Sequence, residues 1–407
     1  MYPLLTGLRV IECASFIAAP SCALHLRQLG AEVIRIDPIG GGPDFRRWPV
    51  TRDGHSLYWE GLNKGKKSIA VDFSRPQGRK LVTDLVTAAG ADRGILVTNF
   101  PREGFLSHDA LSRRRADLIT VRVMGWSDGG SAVDYTVNAA VGLPLMTGSA
   151  DNGDRPVNHV LPAWDLVAGA YAAFATLAAE RDRLRTGRGH EVTVPLSDVA
   201  IAALGHTGQI AEALLQGDRP RCGNDLFGAF GRDFATADGE RVMLVAITRK
   251  QWTGLVASLG LQQAVAELEA RLGVSFAKEE GQRFIHRAEL MPLFERAVAA
   301  RPLAQLRERF DAEAVCWSTY GTLGRAVRED PRLSLAGPLF TELEHPSGQR
   351  YPAPGAAATF SGAVREPGVR APYLGEHTDA VLADVLSLSP SQIGELHDAG
   401  LVAGPSA

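Results

Sequence analysis

Residues 8–37 read LRVIECASFIAAPSCALHLRQLGAEVIRID, and this stretch decides the fold. The apolar run at 8–13 predicts a strand, the apolar spacing at 21–29 predicts a helix, and 32–36 predict a second strand. A strand, a helix and a strand in such close succession indicate a βαβ unit. The chain therefore begins in the manner of an α/β protein.

Three further apolar runs extend the pattern, at residues 68–72, 94–98 and 118–124. Helical stretches separate them, so the strands must cross over and run parallel. Runs that are apolar throughout are typical of strands covered by helices on both faces. The sequence thus predicts an α/β fold whose large domain is Rossmann-like and has a mostly parallel sheet.

A dinucleotide site is not predicted, although Asp37 ends the second strand where a ribose-binding acid would stand. The turn between the first strand and its helix reads ASFIAAPS and lacks the GxGxxG pattern that brings a backbone close to a pyrophosphate. Gly40–Gly42 follow the second strand instead and are interpreted as a loop.

Composition narrows the class of protein. The 407 residues are 45% hydrophobic and 22% charged, which fits a globular chain of two domains at about 150 residues each. A net charge of -3 with interspersed signs gives no reason to expect nucleic acid or a membrane as partner. The four cysteines form no CxxC pair, and the sequence shows no signal peptide or membrane span, so we expect a cytoplasmic location.

Asp165 lies in the first turn of a long predicted helix rich in Ala and Gly, within VNHVLPAWDLVAGAYAAFATLAAERDRLRTGRGHEVTV at 157–194. A carboxylate near a helix N-terminus is kept ionised by unpaired backbone N–H groups and the helix dipole. An ionised carboxylate can attack an acyl carbon, but an Asp at this position is also ordinary capping chemistry. The residue is therefore a candidate nucleophile with a structural alternative.

Several ordered motifs resemble those of the family III CoA-transferases, the CaiB/BaiF family. They are LTGLRVIEC at 5–13, AAPSCALHLRQLGAEVIRIDP at 18–38, NKGKKSIAVDF at 63–73, TNFP at 98–101, TGRGHEVTV at 186–194 and LGEHTD at 374–379. The resemblance spans nearly the whole chain and places the family's catalytic aspartate on Asp165. It implies an aspartyl-CoA thioester formed on that carboxylate, with no metal and no cofactor beyond the CoA moiety of the substrate.

The resemblance also implies the CoA contacts. Phe16, Ile17 and Ala18 would line the thiol arm. The nucleotide end would be held by Val71, Asn99 and Phe100, with Arg75 and Arg102 as weaker phosphate candidates because the family's basic positions are offset here. For Phe16, Ile17 and Val71, packing at strand ends is the structural alternative.

The sequence changes character near residue 223, where FATADGERVMLVAI indicates a hairpin and amphipathic helices follow. A smaller α+β domain is predicted there. The resemblance implies that the tail returns to the large domain and that two subunits form an interlocked homodimer. The predicted organisation is a large domain at 1–204, a linker at 205–224, a small domain at 225–327 and a return segment at 328–407.

Two departures narrow the choice within the family. Its racemase branch places a His before the Asp of AVDYTVNA, where this chain has Val133, and its oxalate-using branch has Gln where this chain has Ile17. Other segments resemble a branch that moves CoA between the two carboxyl groups of one branched, unsaturated C4 diacid. These segments contain the candidate ligands of the second carboxylate, which are Arg46, Arg47, His159 and Arg232.

Three alternatives stay open at this point. An intermolecular CoA-transferase would use the same Asp165 but would exchange one acid for another. A serine hydrolase would use Ser127 of the GxSxG match at 125–129, with Asp165 and His206 or His377 as partners. A non-enzymatic acyl-CoA-binding protein is the third.

Overall fold

The computed structural model describes residues 1–405 and contains the predicted parallel sheet. The elements of the first half are β1 (Arg9–Cys13), α1 (Ala18–Gln28), β2 (Glu32–Asp37), α2 (Leu57–Leu62), β3 (Lys67–Val71), α3 (Pro76–Val86), β4 (Ile95–Thr98), α4 (His108–Ser112), β5 (Ile119–Met124), α5 (Asp134–Ala140), α6 (Leu143–Met146), α7 (Ala163–Thr186), β6 (His190–Pro195), α8 (Leu196–His206) and α9 (Gln209–Gln216).

The second half adds two small antiparallel sheets, and short 3₁₀ segments lie at Ala150–Asn152 and Pro331–Leu333. Its elements are β7 (Phe230–Ala235), β8 (Arg241–Ala246), α10 (Arg249–Leu259), α11 (Gln262–Leu272), α12 (Glu280–Ile285), α13 (Arg287–Ala299), α14 (Leu303–Ala312), β9 (Cys316–Thr319), α15 (Leu323–Glu329), β10 (Phe340–Glu344), β11 (Arg350–Pro354), α16 (Thr378–Leu386), α17 (Pro390–Asp398) and β12 (Val402–Ala403).

The large sheet has the strand order β12-β3-β2-β1-β4-β5-β6. Strands β1 to β6 pair in parallel, with Val10 of β1 opposite Val33 of β2 and Ile95 of β4, and β12 is antiparallel to β3. The order reverses between β1 and β4, and ligands of open α/β sheets bind at such a switch point, beyond the carboxyl ends of the strands. The Rossmann-like prediction is confirmed.

Strand positions agree with the sequence to within a residue at each end, because apolar runs mark buried parallel strands. The first helix was predicted to begin at residue 21 but begins at Ala18. Pro20 is tolerated there, since the first turn of a helix needs no N–H from that residue. Helix α1 therefore starts directly after the loop that follows β1.

The second-half core is aromatic and packs on one face of the sheet β7-β8-β9. The rings of Phe230, Trp252 and Phe294 are fully or almost fully buried, with centroids 4.5 to 5.6 Å apart. Such pairs add to the free energy of burying their area. This part is the small α+β domain that the sequence predicts.

The chain divides into two compact units. The first comprises Met1–Val141, His159–Ala211 and the chain from Asp330 onward, and the second comprises Gly142–Asn158 and Glu212–Glu329. Residues 142–158 thus join the second unit, whereas the sequence placed them in the large domain. The predicted linker is also not a plain connection, because it contains α9.

Hydrogen bonds explain the position of residues 142–158. The guanidinium of Arg221 donates to the carbonyl oxygens of Thr147 and Arg155 at 2.6 Å each, and Gly223 N–H donates to Gly148 O at 3.0 Å. These contacts join segments far apart in sequence, so no local pattern marks them.

Within residues 1–405, every helix is too short or too polar to span a bilayer.

Candidate functional site

Asp165 occupies the first turn of α7 and is half-buried, as the sequence predicts for the helix start. The residue before this helix, Pro162, provides no side-chain cap. The carboxylate of Asp134 caps the helix instead: its Oδ2 accepts from Trp164 N–H at 2.7 Å and from Asp165 N–H at 3.1 Å. The capping role that the sequence offered for Asp165 therefore belongs to Asp134, and the Asp165 carboxylate makes no such bond.

Asp134 is almost completely buried and uses its second oxygen as well. His159 Nε2 lies 2.5 Å from Asp134 Oδ1, and because a carboxylate only accepts, the ring nitrogen carries the hydrogen. The indole N–H of Trp164 donates to Asn138 Oδ1 of α5 at 3.1 Å. Helix α5 thus holds the first turn of α7 through two side chains.

The packing of α7 on α1 fixes the distance between Asp165 and the loop after β1. Gly169 lies one turn beyond Asp165, and a β-carbon there would lie 1.9 Å from Ser21 Oγ and 2.7 Å from Ala18 O. Only glycine permits this approach of the two backbones. Ala18, a predicted thiol-arm contact, is therefore held against the helix that carries the candidate nucleophile.

Asn99 connects the loops at the switch point. Its Nδ2 donates to Ser15 O at 2.9 Å, and its Oδ1 accepts from Ser15 N–H at 3.1 Å. Ser15 follows β1 and Asn99 follows β4, so the amide ties the ends of the two strands together. Next to it, Phe16 has a φ of +69°, a left-handed conformation that non-glycine residues rarely adopt, and 41% of its surface is exposed.

Arg47 approaches Asp165 from the segment after β2. Its guanidinium lies 5.3 Å from the ring centroid of Phe16 and 5.5 Å from that of Tyr58. Burial is the main cause that raises the pKa of the Asp165 carboxyl from its ordinary 3.8 to about 6, the charge of Asp134 also raises it, and Arg47 lowers it. The carboxylate is still mostly ionised at neutral pH, but it is poorly solvated, as a nucleophile should be.

Tyr58 adds an unsatisfied donor to these surroundings. Its hydroxyl is buried and has no hydrogen-bond partner among the described residues. Burial raises its pKa, and the negative charges of Asp44 and Asp165 act in the same direction against Arg47. The hydroxyl therefore stays protonated and can donate to an oxygen of a bound molecule.

A buried ionic cluster anchors the segment that carries Arg47. Arg35 Nη2 donates to both carboxylate oxygens of Asp44, at 2.9 and 3.1 Å, and pairs with Asp37 at 2.8 Å, whereas Arg35 Nη1 pairs with Glu12 at 2.9 Å. All of these side chains are fully or almost fully buried. Asp37 is thus held by an arginine, so it is not the ribose-binding acid that its position suggested.

The other predicted CoA contacts lie along the same carboxyl edge of the sheet, after β1, β3 and β4. Phe100 is half-buried beside Phe73, and Arg102 is exposed. Arg75 donates to Ala399 O at 2.8 Å. The side chain of Val71 is fully buried in the core of the sheet, which favours the packing alternative for that side chain.

The four candidate ligands of a second carboxylate differ in whether they lie near Asp165. His159 is bonded to Asp134, and Arg232 pairs with Asp225 and Glu295 in the second unit. Arg46 lines a cavity of about 190 Å³ together with Asp53, His55 and Glu60. Only Arg47 interacts with Asp165 through its charge.

The serine-hydrolase alternative fails on geometry. Ser127 lies in a tight turn in which Trp126 N–H donates to Gly130 O at 3.2 Å, and the next helix begins only at Asp134. A nucleophile elbow needs a helix directly after the serine. Within residues 1–405 no histidine donates to or accepts from Ser127, and no cluster of three or more His, Cys, Asp or Glu side chains could hold a metal ion.

Comparison with known proteins completes the description of the site. The model of CoA-transferase family III matches residues 5–378, which is most of the chain. The chain belongs to CoA-transferase family III. The resemblance inferred from the motifs is confirmed, and the protein is a family III enzyme.

Family III members similar to this chain include the 2-methylfumaryl-CoA isomerase of Chloroflexus aurantiacus, 51% identical over 100% of this chain and 99% of that protein. The succinyl-CoA:glutarate CoA-transferase of Homo sapiens is 28% identical over 98% of this chain and 90% of that protein. A crystal structure of a CAIB/BAIF family protein from Brucella suis has a TM-score of 0.75 at 24% identity, covering 95% of this chain and 100% of that one. That structural likeness supports the fold alone, whereas the sequence likeness supports CoA transfer or isomerisation.

Sequence reasoning missed the roles of Asp134 and Tyr58. Asp134 lies in a segment that the sequence analysis quotes without giving this residue a role, and Tyr58 lies in a segment to which it assigns no chemistry. The sequence offers no local signal for Asp134, because no helix start is predicted there and an acidic residue at a helix start also fits ordinary capping. Its actual contact lies 31 residues further along the chain, at Asp165 N–H.

Proposed function

We propose that this enzyme moves CoA within one molecule between the C1 and C4 carboxyl groups of mesaconate, which is 2-methylfumarate, through an aspartyl-CoA thioester on Asp165. The observation that carries the proposal is a half-buried, unpaired carboxylate at the carboxyl edge of the sheet, joined by helix packing to the loop after β1. The full-length likeness to a 2-methylfumaryl-CoA isomerase supplies the substrate.

The proposed chemistry needs only the carboxylate and the thioester. Asp165 attacks the thioester carbon, the C–S bond breaks, and a mixed anhydride and CoA thiolate result. The thiolate then attacks the aspartyl carbonyl, which gives aspartyl-CoA and releases mesaconate. The other carboxylate of mesaconate attacks aspartyl-CoA, and the same steps in reverse give the second regioisomer without ATP or metal.

Labelled acid tests whether the transfer is intramolecular. The enzyme is incubated with mesaconyl-C1-CoA and isotopically labelled free mesaconate, and both CoA regioisomers are followed by mass spectrometry. We expect the C4 isomer without label. Labelled product would instead support an intermolecular CoA-transferase, for which the likeness to succinyl-CoA:glutarate CoA-transferase speaks.

A variant of Asp165 tests the nucleophile. Asp165→Ala should lose turnover and the CoA adduct on the peptide that contains residue 165. Asp198→Asn is the matched control, because Asp198 is an exposed carboxylate in the first turn of the next helix, α8. Persistent turnover in Asp165→Ala would refute the assignment.

We also propose that the enzyme is a homodimer. Helix α7 exposes Tyr171, Phe174 and Leu184, at 55%, 66% and 74%. Helix α9 exposes Leu214 and Leu215, at 81% and 82%. Large apolar side chains on neighbouring turns of a helix are typical of surfaces covered by another chain. Native mass spectrometry should show a dimer, and a monomer at micromolar concentration would contradict this.

A further inference from the structure

The proposed substrate carries a problem of charge. Mesaconate bound to CoA at one end keeps a free carboxylate at the other, and the candidate nucleophile is itself a carboxylate. Two like charges in a partly desolvated site repel, so a cation near the free end would stabilise the bound diacid. Arg47 supplies such a cation beside Asp165, because its charge lowers the pKa of that carboxyl.

The donors of Arg47 are free. Its guanidinium makes no salt bridge and donates no hydrogen bond to any of residues 1–405. Its charge nevertheless acts on the pKa of Asp165, and Arg47, Asp44 and Asp165 all act on the pKa of Tyr58. It is placed by the rings of Phe16 and Tyr58, at 5.3 and 5.5 Å. An arginine placed by aromatic rings keeps its N–H edge available for a planar carboxylate.

The backbone of Arg47 is fixed from two sides. Its N–H donates to Asp44 O at 3.2 Å, and its carbonyl oxygen accepts from Ser56 Oγ at 2.6 Å. Asp44 in turn is held by the buried Arg35. The guanidinium is thus presented from a backbone with two hydrogen-bond anchors, and its own surface is exposed.

We propose that Arg47 binds whichever carboxylate of the diacid is not joined to CoA, and that it retains the free diacid between the two half-reactions. This inference rests on the proposed function. The two carboxylates would exchange places: the C4 group sits on Arg47 while C1 reacts, and the C1 group takes its place while C4 attacks aspartyl-CoA. Arg47 would thereby make the transfer intramolecular and select dicarboxylic acyl groups.

The test compares two thioesters in the first half-reaction. Tigloyl-CoA differs from mesaconyl-C1-CoA by a methyl group in place of the free carboxyl group. The rate of CoA adduct formation on Asp165 is measured for both by rapid quenching and mass spectrometry. Loss of a charge-assisted, two-pronged hydrogen bond in Arg47→Gln should lower the preference for mesaconyl-C1-CoA by about 10- to 150-fold.

Two further variants keep the test decisive. Arg47→Lys retains the charge but loses the planar pair of donors, so its preference should lie between those of the wild type and Arg47→Gln. Arg52→Gln is the matched control, because Arg52 is an exposed arginine of the same segment, and it should change the preference by less than about threefold. With labelled mesaconate present, Arg47→Gln should also incorporate label into the product.

The outcomes separate this inference from the proposed function. An undiminished preference for mesaconyl-C1-CoA in both Arg47 variants would overturn the inference, while the wild-type adduct would leave the proposed function standing. Absence of the adduct in the wild type would overturn both.

Discussion

Replacing Asp165 by Asn should make the protein more stable at pH 8 while abolishing turnover. The pKa of Asp165 is raised from 3.8 to about 6, so the folded state favours the protonated carboxyl. The unfolded chain therefore loses its proton first as pH rises, and folding carries a penalty that is absent below pH 3.8 and complete above pH 6. The shift corresponds to about 3 kcal/mol at pH 8 and about half of that at pH 5.

Solvent at the half-open site screens the charge, so we expect roughly 1–2 kcal/mol at pH 8. The assay is denaturant unfolding of the wild type and Asp165→Asn at pH 8 and pH 5, with Asp198→Asn as the control for removing a first-turn carboxylate. The stabilisation by Asp165→Asn should be smaller at pH 5. An Asp165→Asn protein that is equally stable or less stable than the wild type at pH 8 would refute the reasoning.

Three other changes test the surroundings of Asp165. Gly169→Ala should lower the free energy of unfolding by about 1–3 kcal/mol and remove most of the turnover, because a β-carbon there collides with α1. Gly394→Ala in α17 is the control and should not destabilise the protein, because its position is open. Equal unfolding midpoints for the two variants would count against the packing argument. Asn99→Ala should raise the KM for the CoA thioester about tenfold or more, because the loop after β1 loses both bonds to β4, and an unchanged KM would contradict this. His159→Leu should move the acid limb of the pH profile of kcat/KM upward by about one pH unit, because Asp134 loses a hydrogen-bond donor and its charge then acts more fully on Asp165. An acid limb at an unchanged pH would argue against the contact between His159 and Asp134.

The sequence predicts those parts of the fold that depend on the order of apolar and polar residues within a short stretch of chain. The strands around Val10, Val33 and Ile95 are continuous apolar runs, and Asp165 stands at a helix start that composition alone reveals. The contacts of Asp134 could not be read in this way, because they join the starts of α5 and α7, with α6 and a 3₁₀ segment between these helices.

The same limit applies to contacts inside the core. The missing GxGxxG pattern argues against a dinucleotide site at Asp37, but the buried pairing of Asp37 with Arg35 is recognised only once both side chains are known to point into the core. Val71 matched a family position, but its side chain faces the interior of the sheet, and alternation within a run of apolar residues hides that direction. The choice of Arg47 over three other basic residues likewise needed three-dimensional neighbours.

The close approach of α1 and α7 at Gly169 positions the nucleophile, whereas a different segment, the one with Arg47, contacts the acyl group in our proposal. The nucleophile and the loop after β1 are held close together there, because Gly169 lies directly against Ala18 O and the short side chain of Ser21. The segment with Arg47 is anchored through Arg35 and Asp44, and it contacts the loop after β1 through the Arg47 guanidinium and the Phe16 ring. An engineer could therefore substitute the exposed Arg46 and Arg47 to retarget the acyl group, while keeping Asp44 and the packing of Gly169 against α1.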